Sequence, residues 1–130
     1  AAKKFIESGH LRLLGIRRDV AQLIAATDIL VFPSTVPHFA RPIIEASAMA
    51  KPVVASDIGG PKELVAPDET GLLIPPDDPE QLAAAIVSLL DDPELMIQMG
   101  ENGYRRAINK FDAQANSKRT FAVYDELLLT

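Results

Sequence analysis

Cysteine is missing from this chain, so no disulfide framework and no thiolate metal site can form, and a reducing cytoplasm is the expected setting. Long apolar runs are missing too. None approaches the roughly 20 residues of a membrane span, and the N-terminus has no signal-peptide layout. The common catalytic signatures are also absent: no G-x-G-x-x-G, no phosphate-loop motif, no H-E-x-x-H and no G-x-S-x-G. Only two histidines occur, His10 and His38, too few for a metal cluster of their own, and no metal is expected. Basic residues are scarce through the middle. Between positions 21 and 100, Arg41, Lys51 and Lys62 face twelve acidic groups, so this stretch nets −9 within a whole-chain charge of −5. The other basic residues crowd the two ends and read as solvated helix faces. No basic groove interleaved with aromatics appears, which argues against nucleic acid as a partner.

What is present describes one domain over residues 1–130, long enough to enclose a core, with an ordinary globular apolar fraction of 48%. Short apolar runs at 11–14, 29–32, 52–55 and 72–74 are bounded by turn signals and separated by helical patterns. That alternation predicts an α/β fold with a parallel sheet. Helices are expected over 19–26 and, opened by Gly59-Gly60, over 61–65. Asp78-Pro79-Glu80-Gln81 offers a cap, a first-turn proline and a Gln at the third helical position, a capping-box variant, and Asp92-Pro93-Glu94 repeats that start. Gly100 and Gly103 are where the second of these helices is expected to kink or end. A last helix, about 113–128, carries Phe121, Tyr124 and Leu128 as an apolar stripe that reads as core. No internal repeat, low-complexity tract or domain linker interrupts the chain.

The densest signal runs from Pro33 to Glu45. It leads from the end of an apolar strand, through a short loop, into a helix opened by Pro42, where a missing N–H is tolerated. Free N–H groups and the positive end of the dipole make such a turn an anion site. Glu45 is the one carboxylate among Ile43, Ile44, Ala46, Ala48, Met49 and Ala50. A helix so apolar is expected to be buried, and a buried carboxylate requires a partner. Two readings fit: a ligand hydroxyl, or an ordinary strand–loop–helix corner with Glu45 bonded to a nearby amide. His38 lies in the same loop, His10 reads as surface, and Asp57 as a turn former.

Taken in order, these segments resemble the C-terminal, donor-binding domain of retaining GT-B-fold glycosyltransferases of the group 1, family 4 type. The pieces are Ala26 to Ser34, Phe39-Ala40-Arg41-Pro42-Ile43-Ile44-Glu45-Ala46, Lys51 to Gly60 with Glu63, Thr70 to Asp77, the two Asp-Pro helix starts, Tyr104-Arg105-Arg106 and Phe111. The resemblance implies a Rossmann-like sheet and a nucleotide-diphosphate sugar as donor substrate, with transfer to an acceptor hydroxyl and no cofactor. It implies a cytoplasmic enzyme, or one at the inner face of the membrane. In such enzymes two glutamates eight positions apart flank the loop. The second, matched by Glu45, bonds the ribose. The loop between them, matched here by His38, Phe39, Ala40 and Arg41, touches the donor sugar and its β-phosphate, and Gly59 and Gly60 are further loop contacts.

The chain departs from that pattern at three positions. Pro37 stands where the first glutamate falls, so the catalytic residue is unassigned. Ala40 and Ala50 replace usual glycines. The basic pair that neutralises the diphosphate, the acceptor-binding N-terminal domain and two strands of this half find no match. The sheet is therefore expected to carry a gap between 11–14 and 29–32, and the chain alone is expected to be inactive and prone to self-association. A non-catalytic nucleotide-sugar-binding module descended from such an enzyme is the alternative. A sugar-nucleotide epimerase of similar fold fits Gly59-Gly60 less well.

Overall fold

A computed structural model describes residues 2–129. In chain order the elements are α1 (Ala2–Glu7), α2 (Val20–Ala25), β1 (Leu30–Phe32), α3 (Arg41–Ala48), β2 (Val53–Ser56), α4 (Gly59–Leu64), β3 (Gly71–Ile74), α5 (Pro79–Leu90), α6 (Pro93–Phe111) and α7 (Ala113–Leu128). The three strands form one parallel sheet in the order β1-β2-β3, with Val54 opposite Val31 on one side and Leu72 on the other.

All four residues of β2 are buried, as befits a central strand covered on both faces. Its side chains alternate between two cores. Val53 and Ala55 join Ile24, Ile43, Ala46 and Leu64 from α2, α3 and α4. Val54 joins Ile74, Leu89 and Met99 on the face of α5 and α6. The helix starts follow the sequence signals. Asp78 accepts the Gln81 N–H at 2.9 Å and, through its other oxygen, the Gln81 side-chain amide at 3.1 Å. Asp92 accepts the Leu95 N–H at 3.0 Å. Asp19 occupies the cap of α2 without making that bond, because Arg17 holds its carboxylate from two nitrogens and lowers its pKa from the usual range. Among the described residues, no helix is long and apolar enough to cross a membrane.

Three expectations are corrected. Residues 11–14 form no strand, and Leu13 is 76% exposed. An extended segment becomes a strand only by pairing, and no described strand lies beside it. The three strands that do form are contiguous, with no gap among them. Gly100 and Gly103 neither kink nor end α6, which runs unbroken from Pro93 to Phe111. They face α3 instead. A Cβ on Gly100 would overlap the Ala50 carbonyl oxygen and lie 2.8 Å from its carbon, so glycine is what lets the two helices meet. Finally, α7 buries none of its residues. Phe121, Tyr124 and Leu128 stay exposed, with Phe121 and Tyr124 edge to face at 6.4 Å, because no described element packs over that stripe.

Candidate functional site

Two loops meet at the carboxyl ends of the strands, the place where open α/β sheets hold ligands. The first leads from β1 into α3. Ala40 caps α3 with no side-chain bond, Pro42 fills the first turn, and the Ile43 N–H bonds the Ala40 carbonyl at 3.0 Å. Among the described residues, no protein acceptor takes the backbone N–H of His38, Phe39, Ala40 or Arg41. Four successive unpaired donors at a helix N-terminus make a cradle for an anion.

The second loop leads from β2 into α4 and packs directly on the first. A Cβ on Gly59, whose φ is +45°, would come within 2.8 Å of Pro37 Cβ. One on Gly60 would overlap the His38 carbonyl oxygen and lie 3.0 Å from Phe39 Cα. Residues some twenty positions apart in sequence thus share one backbone-on-backbone contact, possible only without side chains. Asp57, beside this contact, is held by its own N–H to the Ile74 carbonyl at 2.7 Å and by Lys62 at 3.0 Å, consistent with a turn former. His10 is at the surface, 2.7 Å from Ser8 Oγ.

The individual side chains fall as follows. Glu45 is one turn into α3 and only half-buried, and among the described residues its carboxylate makes no hydrogen bond or ion pair. This corrects the expectation of a buried helix. The stripe that α3 buries is Ile43, Ala46 and Ser47, while its other alanine, Ala48, is small enough to face water at little cost. Arg41 is exposed at the start of the same helix. The His38 ring sits 5.3 Å from Phe32 at 63°, with Nδ1 3.4 Å from the Phe39 carbonyl, and lines a cleft of about 240 Å³ with Phe32, Pro33 and Ser34. Ala40 is fully buried with φ of −96°, so its methyl group joins the core and no glycine is required there. Ala50, by contrast, adopts a φ of +54°, the left-handed region that favours glycine.

A wider cleft of about 610 Å³ opens on the other side of the loop, between Phe39, Glu63, Leu64, Lys110, Phe111 and Arg119. Lys110 and Arg119 were expected only as solvated helix faces. Asp112, between α6 and α7, caps α7 by accepting the Ala115 N–H at 2.7 Å, and the two helices bring Lys110 and Arg119 to this cleft. A cap at the junction of two helical patterns is the signal that could have placed them. Among the described residues, no group of three or more His, Asp or Glu side chains is arranged to hold a metal ion.

A family model described as "Glycosyl transferases group 1" matches residues 1–106. The chain belongs to this glycosyltransferase family. It is 37% identical over 111 residues to the MMP alpha-(1->4)-mannosyltransferase of Mycolicibacterium hassiacum, covering 85% of this chain and 27% of that protein. The fold superposes with a TM-score of 0.90 and 30% identity on Anabaena HepE in complex with UDP, over 95% of this chain and 34% of HepE. It also superposes, at 0.74 and 25% identity, on the C-terminal domain of a group 1 family protein from Francisella tularensis, over 86% of this chain and 60% of that domain. The chain thus spans about a quarter to a third of the full-length relatives. Its Rossmann-like sheet flanked by helices is that of the C-terminal half of a GT-B glycosyltransferase.

Proposed function

We propose that residues 1–130 are the donor-binding part of a retaining glycosyltransferase that moves a sugar from a nucleoside diphosphate to an acceptor hydroxyl. One observation carries this reading. Four consecutive unpaired N–H groups, from His38 to Arg41, are followed one turn later by the unpaired carboxylate of Glu45. The cradle suits a diphosphate and the carboxylate suits vicinal ribose hydroxyls. That HepE, of similar fold, was solved in complex with UDP supports a nucleotide as the ligand.

Chemically, the task is to stabilise the charge that gathers on the departing diphosphate. Fixed amides and a helix dipole do this without reorganising as the bond breaks. Arg41 adds a cation at the mouth, and Phe39, Ala40, Gly59 and Gly60 shape the loop. The proposed reaction uses no metal or other cofactor. The setting that goes with it is cytoplasmic, at the inner face of a membrane where the acceptor is lipid-borne. The remaining parts of the proposal are an acceptor-binding domain outside this chain and self-association of the isolated piece through the exposed stripe on α7.

The test is calorimetry on the full-length protein. Glu45→Gln removes a charged hydrogen bond worth about 1.5–3 kcal/mol, so UDP or GDP affinity should fall roughly ten-fold or more. Equal affinity in variant and wild type would take Glu45 out of the site. A second reading, a binding module without transfer activity, is favoured by Pro37, which places no carboxylate in the loop and packs on Gly59 instead. Binding of a nucleotide sugar without turnover, in the presence of acceptor, would decide for it.

A further inference from the structure

The wider cleft, across the first loop from the His38 ring, holds charged groups that the donor contacts leave unused. We propose that it binds the acceptor, and that this acceptor is a sugar carrying a phosphate monoester; this rests on the donor-binding reading above and names the second substrate of that reaction. The position comes from Phe39. Its N–H belongs to the anion cradle, while its exposed side chain lines the cleft. A ligand held there lies against the donor, as an acceptor must.

Hydrogen bonds fix the walls. The Arg106 guanidinium donates to the carbonyls of Glu63 and Leu64, at 3.3 Å each, and ties α6 to the end of α4. At the junction of α6 and α7, Asp112 takes the Ala115 N–H, and the Asn116 side-chain amide donates to the Lys110 carbonyl at 3.3 Å. That junction sets Lys110 of α6 and Arg119 of α7 in one cleft. Among the described residues neither cation forms an ion pair, and Arg119 meets only the neutral Asn116 Oδ1, at 3.4 Å. Two free cations match the charge of about −1.5 to −2 on a phosphate monoester at neutral pH. Glu63 is likewise without an ion-pair partner, so its carboxylate is left to accept sugar hydroxyls. Phe39 and Phe111 supply the apolar surface that sugar C–H groups require, and about 610 Å³ leaves room for a hexose phosphate.

The experiment is calorimetry on the full-length protein with glucose 6-phosphate, mannose 6-phosphate, the two parent sugars, inorganic phosphate, UDP and GDP. At least one ester should bind roughly ten-fold more tightly than its parent sugar and than inorganic phosphate. Lys110→Gln and Arg119→Gln should each weaken that ester about five-fold, and added salt should weaken it more in the wild type than in the double variant. Affinity for UDP or GDP should stay within about two-fold in both single variants. Esters that bind no more tightly than their parent sugars would overturn the proposal. So would inorganic phosphate binding equally well, or variants that hold the ester as the wild type does. Equal weakening of the nucleoside diphosphate would assign the two cations to the donor and overturn it too. If the wild type binds neither UDP nor GDP, the donor-binding reading itself fails; if it binds one of them and the ester ignores Lys110 and Arg119, only this proposal does.

Discussion

Gly100 and Gly103 stand three residues apart on α6, both buried and both against α3, yet alanine should act on them with opposite sign. Alanine is favoured over glycine in a helix interior by about 1 kcal/mol. At Gly103 the added Cβ meets Ser47 Cα, Cβ and Oγ at 3.6 Å, ordinary contact distances, so Gly103→Ala should gain up to about 1 kcal/mol. At Gly100 it would overlap a main-chain oxygen. That carbonyl belongs to Ala50, whose turn is tied back to α3 by the Ala50 N–H to Ser47 and the Lys51 N–H to Ala46, at 3.0 and 2.9 Å. It cannot swing aside like a side chain. Overpacking of this kind costs about 1–3 kcal/mol, and with a backbone obstacle the upper end applies, leaving Gly100→Ala about 2 kcal/mol less stable. At roughly 3–5 °C per kcal/mol for a domain of this size, the two variants should melt some 10 °C apart. Thermal melts followed by circular dichroism, with urea titrations alongside, measure this directly. Two variants stabilised alike, or destabilised alike, would refute the close approach of α6 to the end of α3.

Gly60→Ala should push the first loop by up to an ångström, because its Cβ meets the His38 carbonyl. Nucleotide-sugar affinity should then fall at least as far as in Glu45→Gln, and a variant that binds as wild type would show that the two loops do not touch. Ala50→Gly should relieve a left-handed conformation that costs a residue with a Cβ about 1–2 kcal/mol, offset in part by the chain entropy of glycine. A melting temperature raised by a few degrees is expected; a lowered one would show that Ala50 does not hold its φ of +54°.

Much of this molecule was legible in one dimension because its signals are local. The apolar runs that became β1, β2 and β3 carry their own period and turn boundaries, and Asp78 and Asp92 cap α5 and α6 through atoms three residues away. The anion-binding character of the loop before α3 was equally local, since Pro42 and the helix start place free amides wherever they occur. What failed or went unseen depended on partners distant in sequence. Residues 11–14 read as a strand, but a strand exists only beside another, and among the described residues none is there. Gly100 and Gly103 read as helix breakers, since nothing nearby reveals that the turn ending α3 lies against them. Phe121, Tyr124 and Leu128 read as core from their spacing, yet burial belongs to the pair of surfaces and not to the stripe alone. The same holds at the site. Sequence could name His38, Glu45, Gly59 and Gly60, while the seating of Gly60 beneath His38, the half-burial of Glu45 and the cleft that brings Lys110 and Arg119 to Phe39 were decided by tertiary packing.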